Sequence, residues 1–250
     1  MSAPLLRLRL DQALVERGLV ATRARARDLI LRGLISVAGR TASKPAQPVG
    51  PADEIQVLTA NVDYVSRGAL KLEAALAHFG FEAEHRVGLD VGASTGGFTE
   101  TLLAAGARKV YAVDNGRGQL HIRLAQDPRV VSLEGLDARR LDRTLVPDPV
   151  EALVADVSFI SLAKVLPAAL ELTTRRCWMA ALIKPQFETA PGLVPRDGII
   201  KNPTIQAEAV ARVVAWMATM PNWRVLGSIP SPIHGGDGNI EFLIGAVRDD

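Results

Sequence analysis

From residue 87 onward the chain switches repeatedly between two periodicities. Short apolar runs at 87–91, 109–113, 130–133, 152–155, 178–183, 223–227 and 240–247 read as strands. Longer segments at 96–105, 161–173 and 203–220 read as helices, the last with Pro203 in its first turn. Strands that are apolar throughout need cover on both faces, so this alternation predicts an α/β doubly wound sheet, mostly parallel. A helix over 67–79 precedes the first strand, with Ala69, Leu72, Leu76 and Phe79 on one stripe. The final two strands leave no room for a helix between them and are expected to pair antiparallel, the last strand running against the rest.

The 250 residues are 48% hydrophobic and 22% charged, enough for a sizeable core and against wholesale disorder. A single cysteine, Cys177, excludes a disulfide-stapled scaffold and is expected in the core. No uncharged apolar run is long enough to span a bilayer, and Arg7, Arg9 and Asp11 interrupt any signal-peptide segment. The expectation is a cytoplasmic protein with no membrane partner. No His/Cys cluster has metal-ligand spacing, so no metal is expected. The net charge of +2 is unevenly spread. Residues 1–60 hold nine basic and five acidic side chains, eight of the nine being arginine, while the remainder hold 20 and 22. A small arginine-rich segment on a nearly neutral body suggests a nucleic-acid-binding module.

Within that segment, 8–17 reads as a helix with Leu10, Ala13 and Leu14 on one face. Thr22 is placed to cap a second helix, 23–32, with Ala24, Leu29, Ile30 and Leu31 for packing. Short strands follow at 35–37 and 55–58. The run Arg9-Leu-Asp-Gln-Ala-Leu14, the arginines of 23–27 and Ile35-Ser-Val-Ala-Gly39 resemble the S4 RNA-binding domain. The resemblance implies a basic helix that meets RNA phosphates, with Arg7, Arg9, Arg23, Arg25, Arg27 and Arg32 as contacts and Arg67 beyond them. The expected organisation is an S4-like domain at 1–60, a linker at 61–66 and a second domain at 67–250.

The loop Asp90-Val-Gly92-Ala93-Ser94-Thr-Gly96-Gly97-Phe98 joins the first strand of the second domain to its helix. Its glycines permit a tight turn and close ligand approach, yet it is neither a P-loop nor Gly-x-Gly-x-x-Gly. Asp114, closing the second strand, is placed for ribose hydroxyls, and Asp137, after the third, for an adenine amino group. A nucleoside site without a phosphate clamp suits S-adenosyl-L-methionine better than a dinucleotide.

Four ionisable residues lie near the ends of other elements: Lys71 on the 67–79 helix, Asp156 after the fourth strand, Lys184 after the fifth and Glu241 in the last. Strand C-termini in such a sheet converge on one crevice, which makes Asp156 and Lys184 neighbours. The span from Tyr64 to Val247 resembles the FtsJ-type RNA ribose methyltransferases, and the four residues match their Lys-Asp-Lys-Glu tetrad. The resemblance implies methyl transfer to a ribose 2′-hydroxyl. In it Lys184 accepts or steers the proton, Asp156 holds Lys184, and Lys71 and Glu241 position the ribose and its phosphate. With the S4-like segment, Ser94-Thr95, Asp156-Val-Ser-Phe-Ile-Ser161 and Lys184-Pro-Gln-Phe-Glu188, the chain resembles the TlyA family. That family methylates cytidine ribose in ribosomal RNA, so ribosomal RNA or ribosomal subunits are the implied partner. It departs from the family pattern at Arg117, where an aromatic is usual nearby, and at Asp137. Alternatives are a membrane-lytic protein, as the haemolysin label of relatives suggests, a catalytically inactive RNA-binding assembly factor, or an S4-domain pseudouridine synthase. His234 is read as a bystander, and the oligomeric state is not legible.

Overall fold

The computed structural model describes residues 7–20, 22–31, 34–57, 64–235 and 238–249. The chain divides into two compact units, 1–63 and 64–250. In the first, β1 (Leu8–Arg9), α1 (Leu10–Glu16), α2 (Arg23–Leu31), β2 (Ile35–Val37), β3 (Arg40–Thr41), β4 (Pro48–Val49) and β5 (Ile55–Val57) follow in order. β1 pairs antiparallel with β4, and β2 lies between β3 and β5. Helix α1 begins at Leu10, not at residue 8, because Leu8 and Arg9 are taken by the ladder to Val49 and Pro48. Leu10, Ala13 and Leu14 are fully buried, as their spacing predicts. The buried stripe of α2 is Ala26, Leu29 and Ile30 at i, i+3, i+4. The expected packing residues Ala24 and Leu31 are instead exposed, since neither shares that stripe. Thr22 O accepts the first intrahelical bond, from Ala26.

The second unit runs α3 (Gly68–Phe79), β6 (Val87–Val91), α4 (Gly97–Ala104), β7 (Lys109–Asp114), α5 (Ile122–Ala125), β8 (Val130–Glu134), β9 (Val150–Ala155), α6 (Leu162–Val165), α7 (Pro167–Glu171), β10 (Thr173–Ile183), α8 (Pro185–Glu188), α9 (Pro203–Ala218), β11 (Trp223–Pro230) and β12 (Phe242–Arg248). One seven-stranded sheet has the order β11-β12-β10-β9-β6-β7-β8. Only β12 runs against the others, antiparallel to both β10 and β11. The expected doubly wound sheet and its reversed last strand are both present. The expected helix 161–173 is broken into α6 and α7, because Pro167 cannot donate a backbone hydrogen bond within a continuous helix.

The central strands bury both faces. In β9, Leu153 and Ala155 join the core with Leu162, Leu166 and Val213, while Ala152 and Val154 join the one with Leu72, Phe98 and Leu102. Met179, Ala181 and Ile183 of β10 split from Trp178, Ala180 and Leu182 in the same way. Strict two-residue alternation between two apolar layers is why these strands read as continuous apolar runs. Among the described residues no helix is long and apolar enough to cross a membrane.

Candidate active site

The sheet changes winding direction between β6 and β9: the chain proceeds from β6 through β7 to β8 on one side, and from β9 to β10 on the other. Such a reversal opens a crevice at the strand C-termini. Gly92 stands at its mouth with φ +87°, and a Cβ there would lie 2.5 Å from the Asp156 carbonyl oxygen. Only glycine lets the β6 loop pass so close to the end of β9. Gly96, with φ +99°, caps α4 with no room for a side chain against Leu120.

Two cavities open along this crevice. One, of about 490 Å³, is walled by Val113, Leu136, Val157 and Ile160 and edged by Asp114 and Asp137. Asp114 accepts hydrogen bonds from Ser94 N (2.8 Å) and Gly116 N (2.6 Å), so its carboxylate is pinned against the glycine loop. Asp137 also borders the cavity, but Arg139 engages both its oxygens at 2.6–3.0 Å. That hydrogen-bonded guanidinium holds the Asp137 carboxyl down at about 2. Gly92 and Ser94 border both cavities, while Ala93, Gly97 and Phe98 border only the other.

Asp90 borders neither cavity. Strand parity turns its side chain to the α4 face, where it is wholly buried and accepts a 2.6 Å bond from the Thr99 hydroxyl. Its Oδ1 has no hydrogen-bond partner among the described residues. Burial pushes its carboxyl up to about 7, opposed by the Thr99 bond and aided by the charges of Asp156 and Asp114. Asp90 supports the loop from beneath.

The second cavity, of about 300 Å³, brings together Lys71, Asp156 and Lys184 with Arg67, Ser158 and His234. Lys184 Nζ lies 2.6 Å from Asp156 Oδ1 and donates to Ser158 Oγ at 3.0 Å. Lys71 Nζ lies 2.6 Å from Glu241 Oε2 and 3.7 Å from Asp156 Oδ2. Asp156 is therefore flanked by two ammonium groups, and the four charges cancel. Lys71 and Glu241 are buried, so their pairing is what makes either charge tolerable. Glu241 stands one residue before β12, and a Cβ at Gly235 would meet its carboxylate at 2.5 Å. All four residues expected to act together meet in one place, from α3, β9, β10 and the approach to β12.

Four residues at or beside the site were not singled out individually from the sequence. Ser158 is the second acceptor of Lys184. Phe159, at φ +65° and 91% exposed, projects beside the site and meets the Phe187 ring at 5.2 Å. Glu134, closing β8, accepts backbone N–H groups of Gly118, Gln119 and Leu120, bonds that lower its pKa and fix the loop after Asp114. Glu188 is buried and accepts Leu162 N at 2.8 Å, tying the loop after Lys184 to the start of α6. Ser158, Phe159 and Glu188 lie inside motifs already singled out, whereas Glu134 carried no signal beyond its place at a strand end.

In the first unit, Arg9 and Arg23 converge on the buried Asp11, at 2.9 and 3.1 Å. The Arg9 hydrogen bond, then that of Arg23, hold its carboxyl down at about 2. Arg7 and Arg27 are exposed. Arg32 and the side chain of Arg25 lie outside the described residues, as do residues 61–63 of the expected linker and Leu58 of the expected strand.

Comparison with known proteins agrees with this geometry. The FtsJ-like methyltransferase family model matches residues 64–248, and the S4 domain model matches 8–55. The 16S/23S rRNA (cytidine-2′-O)-methyltransferase TlyA of Mycobacterium tuberculosis is 43% identical over 95% of this chain and 89% of its own length. Hemolysin A of Brachyspira hyodysenteriae is 39% identical over 94% of this chain and 98% of its own. A solved hemolysin-named protein from Streptococcus thermophilus superposes with a TM-score of 0.74 at 37% identity, covering 99% of this chain and 90% of its own. A tetrad assembled at a methyltransferase crevice, an S4 match ahead of it and near full-length identity lead to one conclusion: the chain belongs to the FtsJ-like methyltransferases, in the TlyA family.

Proposed function

We propose that the protein transfers a methyl group from S-adenosylmethionine to a ribose 2′-hydroxyl of ribosomal RNA, that of a cytidine. The observation that carries this is Asp156 set between Lys71 and Lys184 at the mouth of the glycine loop. The residues present fit the cofactor. Asp114 offers remaining lone pairs to ribose hydroxyls, and apolar walls suit adenine. Asp137 and the loop residues Gly92, Ala93, Ser94, Gly96, Gly97 and Phe98 complete the contacts, with Asp90 supporting the loop from beneath. When bound, S-adenosylmethionine supplies an electrophilic methyl group.

The chain's own residues handle the hydroxyl. A ribose hydroxyl is a weak nucleophile and needs positioning and proton removal. Lys184, paired with Asp156 and donating to Ser158, lines the second cavity. With the methyl donor bound, the 2′-hydroxyl proton would pass to Lys184 as Lys184 gives one to Asp156, whose Oδ1 lies 2.6 Å from Nζ, while the oxygen's pair would bond the methyl carbon and the pair of the broken sulfur–methyl bond would stay with the departing thioether. No net charge then builds on the lysine. Lys71, fixed by Glu241, sits beside Asp156 and edges the position of the ribose, and Arg67, at the same cavity, meets its phosphate. Residues 1–60 act as the S4-like RNA-binding domain and 61–66 as linker to the catalytic domain at 67–250. Arg7, Arg9, Arg23, Arg25, Arg27 and Arg32 are the phosphate contacts of that first domain. The place of action is the cytoplasm.

The test is incubation with labelled S-adenosylmethionine and, separately, unmethylated small and large ribosomal subunits, followed by digestion and mapping. Label on a ribose 2′-oxygen is expected. No label on either subunit, with S-adenosylhomocysteine binding demonstrated, overturns the reading.

A further inference from the structure

A third cavity, of about 480 Å³, lies across the 158–160 loop from the tetrad. Its walls include Phe159, Phe187, Gln186, Lys164 and Thr189. It shares no residue with the cavity that holds Lys71 and Lys184, and meets the adenosine cavity only through Phe159 and Ile160. The walls supply an aromatic pair with ring centroids 5.2 Å apart and planes tilted by 46°, an exposed ammonium on α6, and an amide. The Gln186 Oε1 atom is buried with no partner among the described residues. The walls are also fixed: Phe187 sits in the short α8, and the Glu188–Leu162 bond ties α8 to α6.

An aromatic surface, an amide and an ammonium match the three parts of a single-stranded nucleotide: a base to stack, base edges to bond and a phosphate to neutralise. The cavity is separated from the position of the reacting ribose by one loop. We propose that it seats the base of a nucleotide neighbouring the methylated one, stacked on Phe187, with Gln186 toward its edge and Lys164 toward its phosphate. This rests on the RNA-methylation reading above and makes Phe187, Gln186 and Lys164 determinants of RNA selection without a part in methyl transfer.

The test compares full-length wild type with Phe187→Ala, Phe187→Trp and Lys164→Gln. Affinity for unmethylated ribosomal subunits is measured with S-adenosylhomocysteine present, alongside KM and kcat for labelled transfer. Phe187→Ala is expected to weaken binding and raise KM by roughly tenfold, the weight of one base–aromatic stack, with kcat and S-adenosylhomocysteine affinity within about twofold of wild type. Phe187→Trp keeps a stacking face and restores affinity. Lys164→Gln, an exposed change that spares the core, lowers the salt slope of binding by about one. Unchanged affinity in Phe187→Ala, or a parallel loss of S-adenosylhomocysteine binding, overturns the proposal, as does a wild-type salt slope in Lys164→Gln. If wild type binds subunits without methylating them, the methylation reading falls, while the Phe187→Ala affinity still decides the cavity.

Discussion

Removing Lys71 should cost more through what it leaves behind than through what it takes away. Its ammonium sits 2.6 Å from Glu241, whose side chain is only 3% exposed. At an effective dielectric of about 20, that contact carries roughly 6 kcal/mol of attraction, much of it offset by dehydrating both ions. Lys71→Met strands the Glu241 charge and leaves Asp156 with one cation in place of two. Losses of about 3–5 kcal/mol are typical when one partner of a buried pair is deleted. For a domain of this size that lowers the melting temperature by roughly 6–20 °C. The double variant Lys71→Met/Glu241→Gln removes the stranded charge at nearly constant volume. It should recover at least about 2 kcal/mol of the loss, a coupling of the size expected for contacting residues. Calorimetry and urea unfolding of wild type, both single variants and the double variant complete the cycle. If the double variant is no more stable than Lys71→Met, the two charges do not depend on one another and the account of a buried, mutually neutralised pair is wrong. Methyl transfer should be lost in all three variants.

Further outcomes follow from the same contacts. Lys184→Ala should abolish transfer and leave S-adenosylhomocysteine affinity nearly intact by calorimetry, so normal turnover would remove Lys184 from the mechanism. Asp90, with its folded pKa raised to about 7, costs nothing below pH 4, where the carboxyl is neutral in both states; stability is then lost as pH rises from about 4 to 7. Asp90→Asn should flatten that part of the urea-midpoint profile, and equal slopes in the two proteins would show that Asp90 does not titrate there. Asp11 has the opposite sign: its folded pKa of about 2 stabilises the fold above pH 4, and that contribution fades as pH falls toward 2. Arg27→Ala should lower the salt slope of RNA binding by about one without changing the melting temperature. Arg23→Ala should also lower the melting temperature, because Asp11 loses a partner; identical melting in the two variants would count against the Asp11 clasp.

The elements that read clearly in the sequence are those whose burial is decided locally. Strands β6, β7, β9 and β10 are apolar at successive positions because both faces are covered, and the tetrad residues stand at or beside the ends of such elements. What escaped depends on distant partners. The start of α1 is set by a ladder to Pro48 and Val49, some forty residues away in sequence. Asp90 looks like a ligand residue beside a glycine loop, yet strand parity sends its carboxylate inward to Thr99. Phe159 reads as one more apolar residue of a strand-end motif, and only its left-handed backbone turns the ring outward. The break at Pro167 was missed although its cause is local, since proline inside a helical pattern marks a boundary.

The placement of β12 between β10 and β11 has a consequence for synthesis. A ribosome delivers β11 first, yet β11 touches the sheet only through β12. Until residues 242–248 emerge, β11 lacks its native partner and β10 presents an edge of unpaired backbone groups. Glu241 arrives with that same late segment, so Lys71 waits for its counter-charge as well. The nascent chain therefore passes through a stage with most of its sheet formed, an open flank and no working centre. Chaperone capture and aggregation should concentrate in that interval, and the closing of the sheet and the switching on of chemistry become one event.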